Sequence, residues 1–527
     1  MTLSQIYPKQ SPNSAIKVEH PLFSQPLILN EIHSDGLKFS AQEPDERFSH
    51  AGTYAALFYF DDDIQQPIEI GLTGFAREGR NNIVVASFSS DQEEAIFWRA
   101  FRGHGQRVGA LMKADKWPRM PARAQYSESA RLQRVSFLEE YTGTRLDEVA
   151  TTSLESEGLV RVTESFIGTV EVPVGAAGPL LFNGQCALGH IFAPMATTEG
   201  SLVASATRGS TAITASGGVT TAVLDRRITR VPLFQMANLH DAIFLGQWVQ
   251  SRISEIRLQT GLMSKHAILK SIEPQILGRD LHLHFVYDSA DAAGQNMTTG
   301  CTWRACHWIM EEVASRFGLE VERFIIESNL SNDKKISFNN YICGRGTRAV
   351  AECKLPGELT QKFLHVTPEQ LVRGYHSLAA GGVAGGMIGV NVNVANMVAA
   401  IFTATGQDIA SVHESGVGHL TMELVDGGTA VYASLVLPSL LIGTVGGGTR
   451  LPQQRTCLQM IDCDGAGKSP RLAEIICGFA LALDVSTLSA LVSDEFAAAH
   501  HPLASSPAPK AKAKGRSRNQ VPTTALP

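Results

Sequence analysis

No Cys-x-x-Cys pair occurs in the 527 residues, and no two close cysteine pairs are flanked by histidines at zinc spacing, which argues against a metal centre. No convincing G-x-G-x-x-G follows a strand-like run, and no G-x-x-x-x-G-K-[ST] is present, so the usual Rossmann and P-loop cradles are missing. Positive charge is not in surplus: 45 Lys and Arg face 51 Asp and Glu, a net −6, which speaks against nucleic acid as a partner. The first residues, MTLSQIYPKQSPNS, lack the apolar core of a signal peptide. The longest apolar stretch is read as 430–443; Ser434, Pro438 and Ser439 interrupt it, and it falls short of the about 20 residues a membrane span needs. Disorder is excluded, because 44% of residues are hydrophobic and only 18% are charged. What remains is a multi-domain globular protein, expected to be cytoplasmic, with its eight cysteines reduced.

Composition shifts divide the chain. Residues 1–45 are polar and proline-bearing and read as a leader or flexible arm. Residues 46–125 hold short β-rich runs (TYAALFYF, IEIGLTGF, NNIVVASF), then the helix-like EEAIFWRAF and a basic linker. This accessory region resembles a PilZ-type barrel but lacks an arginine motif for a nucleotide messenger. From Glu164 to Asp494 the chain is dense in Gly, Ala, Val and Ser. Within it, 232–325 alternates between helix and strand patterns, with LHDAIFLGQWVQSRISEI amphipathic and LHLHFVYD strand-like. Past Ser505 a basic, aromatic-free tail cannot bury enough surface to fold.

Three runs of small residues stand out: PVGAAGPL at 173–180, GGVAGGMIGVN at 381–391 and GTVGGGT at 443–449. Such backbone approaches a ligand closely, and its N–H groups can cradle phosphate. A single run more often serves helix packing; three together favour a large phosphate-bearing ligand. Four segments place ionisable groups beside small residues: Glu199 in MATTEGSLVAS, Asp333, Lys334 and Lys335 in SNDKKISFN, Asp408 in GQDIAS, and His500 and His501 in EFAAAHHPL. Singly, each has a plain structural reading, as a helix cap, a solvated turn or a fraying end. Together they suit thioester reduction, which needs a cation for the oxyanion, an acid to protonate it and a second acid for the departing thiolate.

The ordered set TTEG, DKK, GQD and GTVGGGT, with ESFIGTVEVPVGAAGPL and DAAGQNM, resembles the 3-hydroxy-3-methylglutaryl-CoA (HMG-CoA) reductase family, class I type, from about Arg131 to His500. The resemblance implies an α+β fold: a helix-rich large substrate-binding domain (126–231 and 326–504) carrying an inserted ferredoxin-like α/β small cofactor domain (232–325). It implies NADPH-dependent reductive deacylation of HMG-CoA to mevalonate and CoA, with two hydride transfers through a bound hemithioacetal and mevaldehyde. The implied assembly is a homodimer or tetramer with active sites between subunits, and ESFIG stands at the family's ENVIG dimer segment with Ser165 for its asparagine. By motif, Lys334 would stabilise the oxyanion, Glu199 would donate a proton, and Asp408 would sit between them. His500, rather than its neighbour His501, would protonate the CoA thiolate. Arg230, Asp333 and Lys335 match residues that grip the acyl end, Ser205 and Arg208 those that touch CoA. Ser264, Lys265, Asp291, Gly294 and Asn296 fall at NADPH contacts, Lys265 replacing an arginine and so losing its bidentate fork. Asn393 stands for a histidine of the family pattern, Val412 for an asparagine, and His376 is the nearest candidate for a missing lysine. These departures motivate a second reading, a reductase of a related branched acyl-CoA. A third is a non-catalytic thioester- or nucleotide-binding regulator, for which four retained catalytic groups would be unnecessary.

Overall fold

The computed structural model describes residues 16–19, 27–33, 36–41, 53–61, 64–78, 81–90, 92–93, 96–97, 118–160 and 162–494. The chain divides into two compact units, 1–121 and 122–527.

In the first unit six strands, β1 (Ile16–Glu19), β2 (Leu27–His33), β3 (Gly36–Ala41), β4 (Thr53–Asp61), β5 (Ile64–Glu78) and β6 (Asn81–Phe88), close into a barrel in the order β1-β2-β3-β6-β5-β4. Alternate residues turn inward, as the two-residue period of a strand requires: Leu27 and Leu29, Leu37 and Phe39, Ile68 and Ile70 are buried. Phe97 fills the interior, its ring 5.5 Å from that of Phe58. Strands β1–β3 lie inside the segment that the sequence assigns to a leader or flexible arm, so that reading is corrected for 16–19, 27–33 and 36–41. Strands this short carry only two or three alternations, too few to stand out from polar surroundings.

The second unit opens with the helix Glu128–Thr142, capped by Ser127 and ended by left-handed Gly143. Arg131 and Arg134 tie it down: Arg131 donates to the carbonyls of Ala150 and Ile167 (2.9 Å each), and buried Arg134 to those of Phe166, Ala122 and Gln125. A hairpin follows, β7 (Val174–Asn183) with β8 (Leu188–Ala196). The main sheet has eight strands: β9 (Thr220–Arg230), β10 (Leu233–Gln235), β11 (Ile268–Leu277), β12 (Asp280–Asp288), β13 (Arg323–Ile325), β14 (Gly346–Pro356), β15 (His419–Val425) and β16 (Ala430–Leu440). All its pairings are antiparallel, in the order β13-β10-β12-β9-β14-β16-β15, with β11 on the other edge of β12.

Between 232 and 325 the element order is β10, helices Leu239–Ser251 and Ile253–Gly261, β11, β12, helix Gln295–Phe317, β13. β12 joins this part to the rest, pairing with β10 at its start and β9 at its end. The part has its own core of Phe234, Leu245, Leu283, Phe285, Cys301 and Ile309.

A larger core surrounds the 24-residue helix Ser469–Val492, nearly all of whose residues are buried. It is the one described helix long and apolar enough to cross a membrane by composition, but it is packed within the protein. The longest apolar element is thus this helix, not 430–443, where β16 runs. Its neighbour, the helix Leu202–Ala215, approaches backbone to backbone at Gly209, where a Cβ would stand 1.9 Å from the carbonyl oxygen of Ala482.

Candidate active site

The SNDKK turn is built from strained backbone. Asn329, Asn332 and Lys334 all take positive φ (71°, 55° and 57°), which costs free energy at a non-glycine residue and persists only where surroundings impose it. Here Asn340 does so: its side-chain amide donates to the carbonyls of Asn332 (3.0 Å) and Lys335 (3.1 Å). The Lys334 N–H donates to the carboxylate of Glu414 at 3.3 Å. Held in this way, Lys334 extends Nζ to 2.8 Å from Asp408 Oδ2. Asp408 follows the helix Val394–Thr405 and accepts from the Ala410 N–H at the start of a short 3₁₀ turn, so its carboxylate is aimed before the lysine arrives.

Beneath this pair lies a charged layer. Arg345, fully buried, donates to both oxygens of Glu414 (2.7 and 2.8 Å) and stands 3.0 Å from Asp333. Burial pushes the Glu414 carboxyl up to about 7, against the lowering pull of Arg345. Arg230 pairs with Glu327 at 2.8 Å and Asp333 at 3.5 Å, and Lys335 Nζ donates to the Asp333 carbonyl at 2.9 Å. Glu327, Asn340, Arg345 and Glu414 escape sequence reasoning, since pairs this far apart leave no local pattern.

Next to Asp408 opens a cavity of about 420 Å³, lined by Ala292–Met297, Gly406–Asp408, Gly443 and Val445–Thr449. Three motifs, DAAGQNM, GQD and GTVGGGT, therefore meet on one space. Gln407 fastens two of them, accepting from the Gly443 N–H (2.8 Å) and donating to its carbonyl (2.9 Å). Gly406 has φ +71°, and a Cβ there would stand 2.3 Å from the Gly448 carbonyl oxygen, so this approach needs glycine. Gly446 and Gly447 face open space, offering bare backbone to a ligand, and Gly294 starts the 23-residue helix Gln295–Phe317 at the same cavity. A second cavity, about 590 Å³, shares the lining residues Val162 and Gly447.

Not every sequence candidate converges there. Glu199 is exposed and accepts from the Asn396 side-chain amide (3.0 and 2.9 Å). Asn396 is in the first turn of Val394–Thr405, and Asp408 lies past its end, about 13 Å or more along the axis. Among the described residues no hydrogen bond or ion pair joins Glu199 to Lys334 or Asp408. Ser205 and Arg208 are bound to Ser486, Arg208 through its hydroxyl (3.0 Å) and carbonyl (2.7 Å). Asp291 is spent on the start of Ser469–Val492, accepting from Gly467 N–H (2.7 Å), Ser469 N–H (3.1 Å) and the Ser469 hydroxyl (2.9 Å). Burial would raise its carboxyl, but these donors together outweigh that and hold it below the usual range. Asn296 lines the cavity; Ser264 accepts from His266 N–H, and Lys265 is exposed beside it. Asn393 donates to Thr487 (3.0 Å), and Val412 begins the helix Val412–Ser415. His500, His501 and the basic tail lie outside the described residues.

Residues 130–505 match the family model for hydroxymethylglutaryl-coenzyme A reductase. The chain is 40% identical over 382 residues to the 3-hydroxy-3-methylglutaryl-coenzyme A reductase of Aeropyrum pernix, covering 71% of this chain and 89% of the relative. To the enzyme of Pyrococcus horikoshii it is 38% identical over 371 residues, covering 69% and 88%. In fold it is similar to the class II reductase of Streptococcus pneumoniae, solved bound to NADPH in open conformations, with a TM-score of 0.51, 19% identity and coverage of 68% and 97%.

Proposed function

This chain belongs to the hydroxymethylglutaryl-coenzyme A reductase family, and from that premise we propose how its residues carry the family's reaction. It is an NADPH-dependent enzyme reducing HMG-CoA to mevalonate and free CoA. The observation that carries the assignment of roles is the Lys334–Asp408 pair at 2.8 Å, beside the cavity where three glycine-bearing motifs meet.

Lys334 points its ammonium at the thioester carbonyl, where negative charge develops as the carbon is reduced. Asp408 directs that ammonium from 2.8 Å. Glu199 supplies the proton to the aldehyde oxygen. Since it is fastened to the far end of the Val394–Thr405 helix, the Glu199 that serves a given Lys334 comes from a second copy of the chain. The enzyme is accordingly a homodimer, or a pair of dimers, with shared sites. His500 protonates the leaving thiolate. Arg230, Asp333 and Lys335 hold the acyl end, and Ser205 and Arg208 border the CoA path.

The residues at the cavity fit NADPH: bare backbone at Gly446 and Gly447 and the start of a long helix suit its phosphates. Gly294 and Asn296 line its place there, while Ser264 and Lys265 stand for the 2′-phosphate. Asp291 acts on this ligand by fixing the loop that carries Gly294. NADPH supplies the hydride for each of the two reductions. The insert is read as a ferredoxin-like cofactor domain; a β-αα-β-β-α-β element order and the strand order β11-β12-β10-β13 support this. Class I type is favoured by the motifs alone.

The test is product analysis with HMG-CoA and either nicotinamide, repeated with Lys334→Ala. We expect mevalonate and CoA from NADPH, and a fall in kcat of about a hundredfold to a thousandfold in the variant. Undiminished turnover by Lys334→Ala would overturn the role given to this lysine.

A further inference from the structure

Arg230 is the cation that the proposed function assigns to the acyl end, and it is already engaged. Its Nη1 lies 2.8 Å from Glu327 Oε2 and 3.5 Å from Asp333 Oδ2, and its Nη2 donates to the Gln295 carbonyl at 3.3 Å. The arginine side chain is 7% exposed and that of Glu327 25%, so Glu327 is the more open member of the pair. Its other oxygen, Oε1, is fixed from behind by the Ser331 hydroxyl and the Asn329 N–H, both at 2.9 Å. This carboxylate is therefore pre-aimed at Arg230 rather than resting there by chance.

The charge of the surroundings does not favour an anion either. Three cations (Arg230, Lys334, Arg345) are paired with four acidic side chains (Glu327, Asp333, Asp408, Glu414), and Lys335 donates to the Asp333 carbonyl. A ligand carboxylate arriving at Arg230 would meet Glu327 at close range, and like charges in a partly desolvated site repel. Specificity is often set by such a repulsive element rather than by an added attraction.

We propose that Glu327 is a specificity-determining residue that occupies the substrate-carboxylate place on Arg230. It lowers the enzyme's preference for acyl-CoAs ending in a carboxylate over those ending in a neutral hydrogen-bond donor such as a carboxamide. The inference rests on the reading that Arg230 holds the distal end of the acyl group. HMG-CoA still binds, by sharing or displacing the Glu327 contact, at a cost in KM.

The experiment measures kcat/KM with NADPH for HMG-CoA and for its analogue carrying a carboxamide in place of the distal carboxylate. It uses the full-length wild type, Glu327→Gln, Arg230→Met and the double variant; Glu327→Ser replaces Glu327→Gln if that chain does not fold. The expected result is that Glu327→Gln raises the carboxylate-to-carboxamide ratio about tenfold, equivalent to about 1.4 kcal/mol. Adding Arg230→Met should abolish that rise. If Glu327→Gln leaves the ratio unchanged or lowers it, while Arg230→Met alone selectively impairs the carboxylate substrate, Glu327 only buttresses the arginine. In that case this inference fails and the reading of Arg230 stands. A rise that survives in the double variant sinks the reading of Arg230 and the inference with it.

Discussion

Asp484 is a fully buried carboxyl that accepts from two backbone donors, Val392 N–H at 3.1 Å and Asn393 N–H at 2.6 Å. It reaches from the long core helix to the start of Val394–Thr405, the helix that ends at the Asp408 turn. Burial pushes its proton affinity up to about 7, more than the two donors pull it down. An exposed aspartate in the unfolded chain loses its proton near pH 4. Between those limits the folded state binds the extra proton, so the stability linked to Asp484 is full below about pH 4 and is lost as pH rises through about 7. Asp484→Asn removes this titration while keeping one acceptor for the backbone donors. In melting curves, the advantage of wild type over Asp484→Asn should be larger at pH 5 than at pH 8. A gap that widens with pH would mean that the carboxylate is ionised in the folded chain. Nothing in the local sequence, FALALDVSTL, marks this aspartate as buried; its burial follows from packing on both flanks of the helix, which a sequence pattern alone does not display.

At the level of elements, Asp291 shows a motif residue doing structural duty. Three donors at the start of Ser469–Val492 converge on it, and Arg226, which donates to Ser469 Oγ at 3.3 Å, also pairs with Asp288 on the same loop. The loop before Gly294 is thus latched to the helix at the centre of the large core. Asp291→Ala leaves those donors without their acceptor, and a cost of about 1–2 kcal/mol, typical of a lost helix cap, is expected as a lower urea midpoint. The KM for NADPH should rise alongside it, because the loop loses its fixed position. How much of this was legible differs by element. Strand β14 alternates cleanly, with Ala349, Ala351, Cys353 and Leu355 inward, and the strand-like LHLHFVYD falls within β12. The core helix was missed because a helix buried on every side has no polar stripe to reveal it. DAAGQNM, GQD and GTVGGGT were linked in the sequence only through the family resemblance, which did not say that they share one cavity; the Arg345–Glu414 and Arg230–Glu327 pairs, 69 and 97 residues apart, left no local pattern at all.

On the scale of the whole molecule, the decisive dimension is the length of one helix. Val394–Thr405 keeps Glu199, bound to Asn396 at its start, about 13 Å or more from the turn that holds Asp408 and Lys334. Proton transfer works over hydrogen-bond distances, so under the proposed roles a site using all three groups would take them from two chains. The arithmetic of mixing follows. With the shared-site dimer proposed above, Glu199→Gln and Lys334→Ala chains should each be inactive as homodimers, yet a mixed dimer would have one site with both lesions and one with neither. Equal amounts, unfolded and refolded together, form mixed dimers half the time, and half of their sites are intact. About a quarter of wild-type turnover should return on mixing. The separately refolded variants, combined only at assay, should show none of it unless subunits exchange. Failure of the co-refolded sample to recover activity, with mixed dimers demonstrated by differently tagged chains, would mean that Glu199 does not act with the lysine of another copy. The proton to the aldehyde oxygen would then have to come from a group nearer to Lys334 in its own chain.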